Sequence, residues 1–282
     1  MFGNQLPPKA MRSITRLVSR FLPRLRALLF AVLLSFTIVR PAAAVDYTDL
    51  WVSQEPGQSE LGWGVNFDQA DNFLFATFFI YGPDQQPTWY SGELTLGPNG
   101  VWSGPLYLST GSYFGVPWSA AQKTIGQVGT VTFTPSSSYA GTLTYNVGTV
   151  NVAKVISRLT LTTIALGGNY SGAQISILNS CNDSAQNGSV RYFYDLVVAQ
   201  TATGALQLDF NASSFSCRMA GAYIQNGQLY RMPNGAYTCG PSFSTTVQMS
   251  QIKQTAQGIE GQWVAPWGAG CVETGYFSAV LN

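Results

Sequence analysis

From residue 46 onward the chain is a succession of short aromatic and β-branched runs, broken about every 8–12 residues by clusters of Gly, Pro, Asn and Ser. That rhythm leaves no room for a helical period of useful length and points to antiparallel sheet throughout. Several runs alternate cleanly. In 141–147, Leu143, Tyr145 and Val147 share one face while Thr142, Thr144 and Asn146 share the other. Period two with one polar face marks a strand buried on one side only.

Strands are expected at 62–68, 73–81, 88–96, 101–108, 128–134, 141–147 and 150–159, with a single helical turn at 119–123. A second series follows at 169–178, 190–200, 205–210, 220–225, 236–239, 244–255, 261–264 and 272–281. Between the two series an apolar strand gives way to Gly167-Gly168. The expected architecture is all-β: two consecutive antiparallel β-barrel-like modules of the lipocalin or avidin kind, at 45–164 and 165–282. One continuous barrel with interleaved halves is the alternative. The run 73–81 is apolar on both faces, so its outer face calls for cover from the second module, a partner or a ligand.

The first 44 residues have a different texture. Lys9, Arg12, Arg16, Arg20, Arg24 and Arg26 precede an apolar run at 27–39, and Pro41-Ala42-Ala43-Ala44 follows. Basic region, short apolar core and small-residue site make up a secretory signal, with cleavage expected after Ala44. The apolar core falls short of the roughly 20 residues that a membrane-spanning helix needs. All 13 Asp and Glu lie beyond residue 44, with 7 of the 14 Lys and Arg, which leaves the exported chain at 7 − 13 = −6. A chain without a basic surplus is a poor partner for nucleic acid. The predicted destination is the periplasm or the cell exterior.

Cys181, Cys217, Cys239 and Cys271 all lie in the second module. An even count in an exported chain predicts two disulfides. Of the three pairings, Cys181–Cys217 with Cys239–Cys271 is the one preferred from chain order. A zinc site is disfavoured, because there is no Cys-x-x-Cys and no histidine. The missing histidine also removes Ser-His-Asp and Cys-His catalysis. No phosphate-cradling glycine loop is present, and no metal or other cofactor is expected. What chemistry remains is that of carboxylates: Glu55, Glu60 and Glu93 are candidates for a glycosidase-type acid and base.

The first module carries a set of ordered motifs. They run Gly62-Trp63-Gly64-Val65-Asn66, Phe75-Ala76-Thr77-Phe78-Phe79-Ile80-Tyr81-Gly82 and Pro87-Thr88-Trp89-Tyr90, then Gly104-Pro105-Leu106-Tyr107, Phe114-Gly115-Val116-Pro117-Trp118 and Gly141-Thr142-Leu143-Thr144-Tyr145. In that order they resemble a β-module widespread in secreted proteobacterial proteins, over about residues 46–160. Leu61 stands where that module usually has Ser, and Phe78 where it usually has Trp. The second half resembles the Cys-containing region that follows the module. The resemblance implies a secreted origin and module boundaries, and brings no reaction with it.

Aromatic side chains are the main functional hint. Five of the seven tryptophans, Trp51, Trp63, Trp89, Trp102 and Trp118, fall in the first module. Tryptophan and tyrosine faces stack on sugar rings and apolar ligands, which nominates Trp63, Asn66, Tyr81, Trp89, Tyr90 and Trp102; the competing role for the same rings is core. Lys154 and Arg158 lie four apart on one strand and share a face with Val150, Val152 and Ile156. Cations on an apolar face need partners, for which Glu60 and Glu93 are the candidates, or else a bound anion. The leading expectation is non-catalytic binding by the first module of a carbohydrate, cell-wall fragment or small apolar molecule. The alternative is adhesion to another extracellular protein, and a carboxylate hydrolase comes third.

Overall fold

The computed structural model describes residues 45–54 and 60–282. The export segment predicted at 1–44, its cleavage site and Glu55 lie outside the described residues. The first series of strands is β1 (Asp49–Ser53), β2 (Gly64–Ala70), β3 (Phe73–Tyr81), β4 (Pro87–Leu96), β5 (Trp102–Thr110), β6 (Thr124–Pro135), β7 (Ala140–Val147) and β8 (Val150–Arg158). Each pairs antiparallel with its neighbours in sequence, and β8 returns to β1 to close a barrel. The predicted helical turn is present as a one-turn 3-10 helix, Ala120–Gln122.

The second series repeats the topology. It comprises β9 (Gly168–Asn179), β10 (Gly188–Gln200), β11 (Ala205–Asn211), β12 (Ser216–Ala222), β13 (Ile224–Asn226), β14 (Leu229–Cys239), β15 (Phe243–Gln254), β16 (Gly258–Gly268) and β17 (Cys271–Leu281). Strands β12 and β13 both pair with β14 and act as one strand interrupted at Tyr223. Eight strand positions therefore surround this barrel, closed where β17 meets β9. Two consecutive antiparallel barrels are what the strand rhythm predicts, and the interleaved alternative is set aside.

Alternation decides what each barrel holds inside. In the first, Trp51, Phe67, Leu74, Phe78, Leu94, Leu106, Phe133, Leu143 and Ile156 are fully buried. Phe67 and Phe133 lie 4.9 Å apart and Trp51 packs on both, at 5.7 and 5.4 Å, in tilted and edge-on arrangements that favour ring pairs. In the second, Tyr194, Leu196, Leu208, Phe210, Met219, Met249 and Trp263 fill the middle of the barrel. Trp263 needs Gly275 opposite it on β17: a Cβ at residue 275 would sit 1.9 Å from the indole. On the outer face of β3, Phe73, Phe75, Phe79 and Tyr81 stay 38–56% exposed, so the run that is apolar on both faces is not covered by the second barrel.

The disulfides are Cys181–Cys271 and Cys217–Cys239, which corrects the pairing preferred from chain order. Register explains it. Cys217 on β12 lies directly opposite Cys239 on β14. Cys271 begins β17, whose neighbour β9 ends two residues before Cys181, with Val272 paired to Asn179. Barrel closure brings together cysteines that are 90 residues apart.

Candidate functional site

The six aromatic and polar residues nominated in the first barrel do not converge. Trp63, Tyr90 and Trp102 point inward and are 5%, 8% and 2% exposed. The Trp63 indole donates to the Tyr145 hydroxyl at 3.2 Å, inside the core. Tyr81 and Trp89 point outward, with Trp89 directly opposite Phe79 in the register of β3 and β4. Asn66 lies on the exposed face of β2.

The four charged residues also separate. Lys154 pairs with Glu60 and sits 5.3 Å from the Trp63 ring. Arg158 is buried and pairs with Asp49 at 3.1 Å, a partner the sequence reading missed. Its guanidinium also donates to the carbonyls of Asp46, Thr48 and Ser138. Burial pushes its pKa down, opposed by the Asp49 carboxylate. Glu93 belongs to neither pair; it lies on the exposed face of β4, opposite Phe75. Asp49 also accepts from the Gln228 amide, in the turn between β13 and β14. Gly227 in that turn has φ +61°, and a Cβ there would meet the Asp49 carboxylate at 2.0 Å. The Asp49–Arg158 pair is thus a structural clip between the barrels, reinforced by Lys253–Asp46 and by the Gln251 amide donating to the Tyr139 hydroxyl.

Open space of ligand size lies in the second barrel, at the end that carries the disulfides. It is a cavity of about 450 Å³. Strand β9 supplies Gln174, Ser176 and Leu178, and β10 supplies Val190 and Tyr192. Phe215, the Cys217–Cys239 bridge, Tyr237 and Trp267 complete the wall, with Gln186 of the one-turn 3-10 helix Ser184–Gln186 at the rim. The rings form two groups. Tyr192 packs edge-on against Phe215 at 4.7 Å. Trp267 stacks on Phe243 at 4.0 Å, with Tyr237 at 6.0 Å. Apolar walls with a few placed polar groups are the usual composition of a small-molecule site, and the mouths of β-barrels are a usual place for one.

One of those polar groups is an acid. Glu273 on β17 lines the cavity and is 4% exposed. Its Oε1 accepts a hydrogen bond from the Ser176 hydroxyl, while Oε2 is buried without a hydrogen-bond partner. The Trp263 indole N–H, one layer deeper, is also unpartnered. Burial raises the Glu273 pKa above the usual carboxylate range, and the Ser176 hydrogen bond with the approach of Trp263 and Tyr237 pulls the other way. Burial also raises Tyr237, and the Glu273 carboxylate adds to that rise. The sequence reading passed Glu273 over, although a signal was there. Cys271, Glu273, Gly275, Phe277 and Ala279 share one parity of β17, and an acid among them must point into the barrel.

No protein-family model and no curated protein matches the chain. Among solved structures it is similar to a single-site variant of the vaccine antigen transferrin-binding protein B from Haemophilus parasuis Hp5. The identity is 13% and the TM-score 0.30, over 80% of this chain and 61% of that one. The chain therefore spans less than two thirds of that protein's length.

Proposed function

We propose that this is an exported, non-catalytic binding protein that takes a small, mainly apolar ligand into the open end of its second barrel. The observation that carries the reading is the cavity of about 450 Å³, walled by two aromatic groups and closed beneath by a packed core. Its volume is in the range of small-molecule sites, roughly 300–1,000 Å³. Rings already held against one another at Tyr192–Phe215 and Phe243–Trp267 lose little freedom when a ligand arrives. Two disulfides support an oxidising compartment, the periplasm or the exterior.

Intrinsic tryptophan fluorescence of the disulfide-intact protein tests the reading. Panels of apolar small molecules, amines, glycans and cell-wall fragments should include a class that gives a saturable change, and that change should vanish in Trp267→Phe. Silence across every panel from a folded protein would sink it. A second reading rests on the outer face of β3 and β4, where Phe79, Tyr81 and Trp89 are 50%, 56% and 54% exposed. Such a patch suits contact with another extracellular protein.

A further inference from the structure

We infer that the ligand of the second barrel carries a protonated amine on an apolar body, with the Glu273 carboxylate as its counter-charge. The inference rests on the binding proposed above and adds the ligand's chemical class. It starts from an imbalance. Glu273 Oε2 is buried on the cavity wall without a hydrogen bond from the protein; Trp263 and Tyr237 approach the carboxyl without completing one, and a buried carboxylate oxygen left so is unfavourable. If the acid served packing alone, an apolar side chain of similar size would do as well or better. An ammonium N–H supplies both the missing donor and the missing charge.

The remaining surroundings select the same sign. Among the described residues Glu273 is the one acid on the cavity wall, and no Lys or Arg lines it. The titratable groups that share the cavity are Tyr192 from β10 and Tyr237 from β14, and burial keeps Tyr237 protonated. Ser176 from β9 donates to the acid and the Trp263 indole from β16 approaches it, both uncharged. Other charges of the second barrel point elsewhere: Arg218 pairs with Asp209 on the outer face, Arg191 is exposed on the outward parity of β10, and Asp183 is exposed and caps its own turn. An anionic ligand would meet a carboxylate with no compensating cation. Tyr192, Phe215, Tyr237 and Trp267 offer ring faces that attract a cation electrostatically and pack on its apolar remainder. Burial favours the protonated acid. A bound ammonium favours the ionised form, so the acid's proton passes to solvent as the amine binds.

Calorimetry with two isosteric pairs, phenethylamine against phenethyl alcohol and tryptamine against tryptophol, tests this on the disulfide-intact protein and on Glu273→Gln. The amines should bind the natural protein about tenfold or more tighter than the alcohols, and the preference should collapse in Glu273→Gln. Amine affinity should rise as pH rises through the raised range in which Glu273 ionises, with proton release visible as a dependence of the heat on the buffer. Should Glu273→Gln fail to fold, the pairwise preference and the pH profile of the natural protein carry the test alone. Alcohols binding as tightly as amines would overturn the inference, as would a preference that survives Glu273→Gln. So would affinity that falls as pH rises, because a protonated Glu273 would then be donating to a neutral ligand. If a neutral apolar probe binds and the amines do not, the inference falls while the binding site stands. If no probe binds at all, both fall.

Discussion

The two barrels share a topology and use their interiors in opposite ways. The first is filled: Trp51, Phe67, Phe78 and Phe133 occupy its centre, and the rings nominated as ligand contacts belong to that packing. Its seam is short, with β1 and β8 paired only from Trp51–Arg158 to Ser53–Ile156. Ion pairs brace the seam, Arg158–Asp49 inside and Lys154–Glu60 toward the opening. The second barrel has a long seam, from Val272–Asn179 to Leu281–Tyr170, and its packing stops short of one end. Both disulfides sit at that end, one of them in the cavity wall. A wall without a core behind it loses the burial that holds strands together. Covalent links there supply rigidity that side-chain packing supplies in the first barrel.

Reduction should therefore divide the molecule, and it is the largest effect expected. In the chain-entropy account, the 90-residue and 22-residue separations correspond to roughly 4–5 and roughly 3 kcal/mol. Hydrogen exchange read by mass spectrometry should show protection falling in β9–β17 after reduction and holding in β1–β8. An equal loss in both barrels would break the comparison. Next in size is Arg158→Ala, which leaves the Asp49 carboxylate buried beside three vacated carbonyl acceptors. Breaking a buried pair from one side costs about 3–5 kcal/mol. Denaturant unfolding should show that loss, and hydrogen exchange should show β1–β8 opening first. Arg158→Lys should not restore it, because an ammonium cannot reproduce the fork of donors.

Much of this was legible in the residues, and the gaps have physical causes. Strand β3 lies at the predicted 73–81, and Lys154 and Arg158 face inward as their parity requires. Strand β1 was missed because Asp49–Ser53 is only five residues long, too short for its alternation to stand out. Strand β14 was cut short because Pro233-Asn234-Gly235 has the composition of a turn; the structure absorbs it as an irregularity between Met232 and Gly235 without ending the strand. The disulfide pairing was hidden for a related reason: chain order says nothing about which strands close a barrel. The cavity was the least legible feature. Alternation tells which side chains point inward, while an empty space depends on where the rings of Tyr192, Phe215, Tyr237 and Trp267 end in three dimensions. Aromatic density drew attention to the first barrel, where the rings fill the space that a ligand would need.

The smallest effect sharpens the comparison further, because it isolates the hollow end from everything else. Burial raises the folded-state pKa of Glu273 above its value in the unfolded chain. The folded state therefore binds this proton more tightly, and stability depends on pH as the difference in bound protons. Below the unfolded carboxylate range both states are protonated, and the contribution is fully present. As pH rises from that range toward the raised folded value, the unfolded chain ionises first and stability falls, with a slope of at most about 1.4 kcal/mol per pH unit for one proton. Above the folded value the loss is complete and the profile flattens. Asp46 runs the other way: its pKa is lowered, although burial, the largest influence on it, raises it; the hydrogen bonds from Lys253 and Thr48 together outweigh that burial. Its contribution is present above the usual carboxylate range and fades as pH falls through the lowered value. The difference between the natural protein and Glu273→Gln, measured by denaturant titration across the carboxylate range, cancels Asp46 and leaves Glu273 alone. A falling difference on the alkaline side would place the strained acid in the hollow barrel. A flat difference would mean that water or a neighbouring donor already satisfies Oε2, and the hollow end would then be no more demanding of a partner than the filled one.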